Sequence, residues 1–148
     1  MTSENNTQIV NLSKLNTSST SKFGGKASNL GELINSGINV PEGFAISTDL
    51  YFEFLKKSNL KEKIANLILD SNSLKINELQ KLSNQIKELF NKTQFDTNII
   101  SSIEQEYKRI GSSRVAVRSS ATSEDSMEAS FAGQQNTYLN IIGFNSLI

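Results

Sequence analysis

The apolar positions of this chain alternate near its start, follow the helical period through its middle and alternate again toward its end. Ile9 to Leu15 alternates loosely, with Ile9 and Asn11 against Val10 and Leu12, and predicts a first strand. Asn16 to Lys22 is rich in Ser and Thr and reads as a loop. From Lys26 a short helix is predicted, because Ala27, Leu30, Leu33 and Ile34 fall at helical spacing. Gly37 is placed to end it, since glycine accepts the left-handed cap conformation. Pro41 and Gly43 punctuate a turn, Phe44 to Ser47 predicts a second strand, and Thr48 can cap a helix starting at Asp49.

Three amphipathic stripes follow. Leu60, Ile64, Leu67 and Ile68 form the first; Ile76, Leu79, Leu82, Ile86, Leu89 and Phe90 form the second. Phe95, Ile99, Ile103, Tyr107 and Ile110 form the third, closed by Gly111. Such stripes are the ordinary mark of helices packing a core, and no chemistry is assigned to them. After Gly111, Arg114, Ala116 and Arg118 alternate with Val115 and Val117, which fits a strand, and Thr137 to Ile141 repeats the pattern. A polar loop, Ser119 to Gln135, lies between, and no closing element is evident before Ile148. The pattern as a whole predicts an α+β chain, a small β-sheet with a helical middle segment.

Composition narrows the chemistry. At 148 residues the chain fits one domain. Fifteen basic and fifteen acidic residues cancel, which gives no reason to expect nucleic-acid or anionic-membrane binding. With no Cys there is no disulfide framework, thiolate zinc site or Cys nucleophile; with no His the commonest general base, metal ligand and phosphohistidine are absent. No apolar run approaches the about 20 residues of a membrane helix, and the polar start, Met1 to Asn6, lacks a signal-peptide core. A cytoplasmic location is the resulting expectation.

Two segments about ninety residues apart carry groups suited to a polyphosphate. In the first, Gly24 and Gly25 permit close backbone approach, a helix start follows, and Lys26 adds a compact charge. This is not the Walker spacing, and the alternative is a plain glycine turn with a solvated lysine. In the second, Arg118 stands at a strand end, where a guanidinium can clamp phosphate in a planar, bidentate way or be a surface arginine. The hydroxyl-rich loop after it can fold over a triphosphate, with an ordinary hairpin connection as the alternative. Its acids, Glu124, Asp125 and Glu128, read as solvated, so no metal ligand is assigned, and neither is any catalytic residue.

Three stretches in order resemble one family. They are Gly24-Gly25-Lys26-Ala27-Ser28-Asn29-Leu30-Gly31-Glu32-Leu33, then Gly37 through Thr48, then Val115 through Asp125 running on to Ala129 through Asn140. Together they resemble the N-terminal, ATP-binding region of the phosphoenolpyruvate synthase and pyruvate phosphate dikinase family, which includes rifampicin phosphotransferase. The wording Ala129-Ser130-Phe131-Ala132-Gly133-Gln134 favours the synthase and rifampicin branches. The resemblance covers roughly residues 9 to 142. It implies the first lobe of an ATP-grasp-like nucleotide-binding domain, with ATP as the ligand. By this carry-over Lys26 and Arg118 contact the phosphates and the loop holding Gly133 and Thr137 covers them, and amides near Gly24, Gly25 and Gly133 are expected to donate to their oxygens. Ala27 departs from a frequent third glycine, and Asn136 from a usual acid.

The resemblance also implies what residues 1–148 leave out: the second lobe with the magnesium carboxylates, a domain with the phosphorylated histidine, and a pyruvate-binding barrel. The implied function is the ATP-binding part of a synthase that phosphorylates a catalytic histidine and then pyruvate, with those domains or a separately encoded second half as partners. The alternatives are the same part of a rifampicin phosphotransferase, a non-catalytic nucleotide-binding or interaction module, and an inactive remnant. The isolated chain is expected to be inactive, and magnesium to bind only with the second lobe.

Overall fold

A computed structural model describes residues 8–69, 75–111, 114–122 and 136–148. The chain divides into two units, Met1–Asp49 with Asn98–Ile148, and Leu50–Thr97. Its mixture of helices and antiparallel strands is compatible with the predicted α+β class, but the described strands form two separate two-stranded sheets and not the one small sheet expected.

In the first unit, strand β1 is Ile9–Asn11, shorter than the predicted Ile9 to Leu15. Asn11 ends it: its side-chain oxygen accepts from the Ser13 amide at 2.9 Å and the Ser13 hydroxyl at 2.6 Å, turning Leu12–Lys14 into a 3₁₀ turn. Asn16 does the same for the predicted loop. It accepts from the Ser18 amide at 2.9 Å, and Thr17–Ser19 becomes a second 3₁₀ turn leading into helix α1, Thr20–Phe23. Local side-chain acceptors thus build structure where composition alone suggests a loop.

Helix α2 is Gly25–Asn35. Its end is the predicted one: Gly37 sits at φ +81°, its amide donates to the Ile34 carbonyl, and the Ile38 amide donates to that of Leu33. That pair of bonds is the Schellman pattern, which satisfies two of the last free carbonyls. Strand β2, Phe44–Ile46, pairs antiparallel with β1, with Val10 opposite Ala45. Leu12, Leu15, Phe23 and Ala27 form the core beneath, with Val10, Leu30, Ile34 and Ala45 packed against it.

Helix α3, Thr48–Lys57, begins one residue before the start that a Thr48 cap predicts. In the second unit its Phe54 and Leu55 join Leu60, the fully buried first residue of helix α4, Leu60–Ile68. Asn59 separates the two helices at φ +55°, a left-handed conformation that Asn tolerates. Helix α5, Ile76–Lys92, contributes Leu89 and Phe90, and Phe95 lies 4.8 Å from the Phe54 ring centroid. The expectation of core packing needs correcting for this helix. No residue of α5 is fully buried, and Ile76 is 87% exposed. Periodicity gives the side of the helix that turns inward, not how much material covers it. Also in this unit, Lys57 bridges Glu53 at 2.7 Å and Asp96 at 3.7 Å. The hydrogen bond and charge of Glu53 hold its ammonium above the usual lysine value, but the pair is exposed and contributes little to stability.

Back in the first unit, helix α6, Thr97–Ile110, buries Ile99 and Ile103 and is followed by Gly111 at φ +65°. Strands β3, Val115–Arg118, and β4, Thr137–Ile141, pair antiparallel with a bulge between Val115 and Val117. In β3, Val115 and Val117 are half-buried while Ala116 and Arg118 are exposed, as alternation predicts. Strand β4 departs from that reading: its first four residues are all exposed. A closing element, absent from the sequence reading, is present as helix α7, Phe144–Leu147. The Gly143 amide donates to the Tyr107 hydroxyl at 3.2 Å, and the Tyr107 and Phe144 rings lie 6.1 Å apart, tying α7 to α6. Among the described residues no helix is long and apolar enough to cross a membrane.

Candidate nucleotide site

The two polar segments meet within the first unit. Gly24 ends α1 and precedes α2 at φ +79°, a conformation in which an L side chain is strained. A Cβ there would also fall 2.5 Å from the Ser120 hydroxyl and 2.6 Å from the Ser120 carbonyl carbon. The missing side chain therefore lets the backbone after β3 come against the start of α2. Two bonds fasten the junction. The Gly25 amide donates to the Ala121 carbonyl at 3.1 Å, and the Ala27 amide donates to the Ser120 hydroxyl at 3.2 Å.

These bonds account for amides that the sequence reading offers to phosphate. Gly24 donates to the Thr20 carbonyl, Gly25 to Ala121, Ala27 to Ser120 and Ser28 to Gly24. The glycines act here as a joint between motifs. Ser120 occupies the place of a helix cap from 93 residues away. Gly24, in the cap position itself, makes no side-chain cap.

Lys26 is half-buried in the first turn of α2, between the buried Gly25 and Ala27. That turn holds no acidic residue. The lysine charge and the positive end of the helix dipole carry the same sign, so the turn presents a field that an anion complements. Arg118 is the exposed last residue of β3, two residues before Ser120. In the β3–β4 ladder Arg118 stands directly opposite Thr137, which places the two side chains on one face of the ribbon. The structure thus joins the Gly24, Gly25 and Lys26 segment to the residues that follow Arg118, and sets Thr137 across from Arg118. Gly133, the acids Glu124, Asp125 and Glu128, and most of the Ser119 to Gln135 loop lie outside the described residues. The part of that loop nearest β3 is pinned to α2 through Ser120 and Ala121.

The rest of the first motif holds α2 in place. A Cβ on Gly31 would sit 2.3 Å from the Leu15 carbonyl oxygen, so the helix and the turn below it touch backbone to backbone. The Glu32 carboxylate accepts from the Thr17 amide at 2.9 Å, and the Asn35 side-chain amide donates to the Leu15 carbonyl at 3.0 Å. The Ala27 methyl, where the resemblance often has glycine, lies in the core with Leu12, Leu15 and Phe23. Ser28 is fully buried, and its hydroxyl has no hydrogen-bond partner among the described residues. Ser120 and Ala121 lie in the third matching stretch, but the sequence reading gives neither a role of its own. Their signal is indirect: the glycines before the predicted helix have no side chain that could cap it, so a cap must come from elsewhere.

Comparison with known proteins bears on this junction. Residues 20–148 match the model of the pyruvate phosphate dikinase AMP/ATP-binding domain, a span that includes both halves of it. The chain belongs to this family. It is 41% identical to a phosphoenolpyruvate synthase of Helicobacter pylori, over 91% of this chain and 18% of that protein. It is 43% identical to a probable phosphoenolpyruvate synthase of Staphylothermus marinus, over 84% of this chain and 16% of that protein. A phosphoenolpyruvate synthase of Pseudomonas aeruginosa is 38% identical over 95% of this chain and 19% of its own length. The chain thus spans less than a fifth of these relatives, and it corresponds to the N-terminal, AMP/ATP-binding region of the family.

Proposed function

We propose that this chain binds ATP as the first lobe of an ATP-grasp-like domain and serves a phosphoenolpyruvate-synthase-like phosphotransferase. The observation that carries the reading is the junction itself: the helix start bearing Lys26 is fastened to the segment that leaves Arg118. Family membership supports a nucleotide as the anion. In this reading Lys26 and Arg118 neutralise the phosphates, Thr137 faces them beside Arg118, and Gly133 belongs to the covering loop. Phosphoryl transfer depends chiefly on positioning and charge stabilisation, which two cations beside the phosphates would supply. The phosphoryl group passes from ATP to a histidine on another domain and then to pyruvate. The names of the relatives support pyruvate over an antibiotic as acceptor. Magnesium is expected to bind only when the second lobe is present. Its carboxylates belong to the second lobe in this reading.

Titration of the chain with ATP, followed by backbone amide resonances, tests the reading. Shifts are expected at Lys26, at the first turn of α2, and at Arg118 and Thr137. Saturating ATP with no change at these residues, or changes confined to Leu50–Thr97, would sink it.

A further inference from the structure

Ser120 has no place in the phosphate-binding set, yet its hydroxyl reaches an amide 93 residues away. Its hydroxyl accepts from the Ala27 amide, and the next carbonyl, that of Ala121, accepts from the Gly25 amide. These two amides flank Lys26 in sequence, one on each side. Both acceptors lie within three residues of Arg118 on a chain that has just left β3. The absent side chain at Gly24 allows the approach, since any Cβ there would overlap Ser120.

We propose that Ser120 is a positioning residue: by accepting the Ala27 amide it sets where Lys26 stands relative to Arg118, and so tunes the affinity for the polyphosphate. The proposal rests on the ATP reading above. It differs from direct contact in a measurable way. A positioning hydroxyl acts through Lys26, so its loss costs affinity only while Lys26 is present. A hydroxyl that touches phosphate costs affinity in either background.

The experiment is a double-mutant cycle on the 148-residue chain, with ATP affinity read by calorimetry and Ala27 amide exchange read without ligand. Ser120→Ala is expected to speed exchange at Ala27. It should weaken ATP binding by about five- to tenfold, the scale of coupling within one hydrogen-bonded network. In a Lys26→Ala background the same substitution should change affinity less than about twofold, the size of ordinary non-additivity between uncoupled sites. Ser120→Thr keeps the acceptor oxygen and should restore both readouts. Ser120→Cys, near in size but a weak acceptor, should behave as Ser120→Ala and replaces it if that variant does not fold. Equal losses in both backgrounds overturn the proposal in favour of direct contact, and no loss in either overturns it outright. If the wild-type chain binds no ATP while Ala27 exchange still responds to Ser120→Ala, the nucleotide reading has failed and Ser120 is a structural cap. If ATP binds and Ala27 exchange is unmoved, the nucleotide reading stands and the positioning role has failed.

Discussion

Lys26→Ala and Arg118→Ala are each expected to weaken ATP binding by about 1.5–3 kcal/mol, the range for hydrogen bonds to charged groups. That is roughly a tenfold to hundredfold rise in dissociation constant. The two residues come from segments that the structure fastens together, so both losses should appear in one binding event. Folding should barely respond. Arg118 is exposed at a strand end, where a charge contributes little to stability, and the same small change is expected at Lys26. Calorimetric titration of both variants with melting temperatures alongside is the measurement. Affinity equal to wild type in both would remove the phosphate assignment. Early melting without ligand would make the residues structural.

Gly31→Ala should cost more stability than Gly37→Ala just past the end of the same helix. The new methyl would meet backbone on three sides: the Leu15 carbonyl oxygen at 2.3 Å, its carbon at 2.7 Å and the Leu12 carbonyl oxygen at 2.8 Å. Backbone cannot rotate away as a side chain can, so the helix must lift. Lifting stretches the Glu32 to Thr17 and Asn35 to Leu15 bonds as well. Overpacking of this kind costs about 1–3 kcal/mol, and the stretched bonds place this site at the upper end. Gly37→Ala is the control. Among the described residues nothing lies within 4 Å of a Cβ added there, so the left-handed backbone penalty of about 1–2 kcal/mol is the expected cost. Chemical denaturation of the two variants should rank Gly31→Ala as the worse. The opposite order would mean that α2 is not seated on the Leu12–Leu15 turn as described.

Much of this fold is legible in the sequence where one local rule suffices. The spacing from Ala27 to Ile34 with Gly37 gives α2 and its end. The stripes through Ile64, Leu89 and Ile103 give α4, α5 and α6, and the alternation from Arg114 to Arg118 gives β3. Illegible parts depend on a choice between rules. Asn11 and Asn16 sit in runs that read as strand and as loop, and in each case a side-chain oxygen competing for a nearby amide decides for a turn. The exposure of β4 and α5 escapes because patterning ranks faces without measuring cover. The candidate site divides the same way. Lys26 and Arg118 stand in recognisable surroundings, and the Arg118–Thr137 register follows once the strands pair. The Ser120–Ala27 bond leaves no periodic trace, since it joins one hydroxyl to one amide across 93 residues.

That separation has a consequence for the order of events in biosynthesis. A chain grows at about 5–20 residues per second, so helix α2 is made roughly 5–20 seconds before the residue that caps it. During that interval the Gly25 and Ala27 amides lack the acceptors they have in the folded chain, while the far end of the helix is closed by Gly37 and Ile38. The junction that unites the two motifs therefore waits on the closure of a long loop, a slow kind of contact to form. In pulsed exchange during refolding, protection of the Ala27 amide should trail that of Gly37, and simultaneous protection would show that the two ends form together. The nucleotide site would then be among the last parts of its unit to acquire native order, and the part most exposed to interruption of the growing chain.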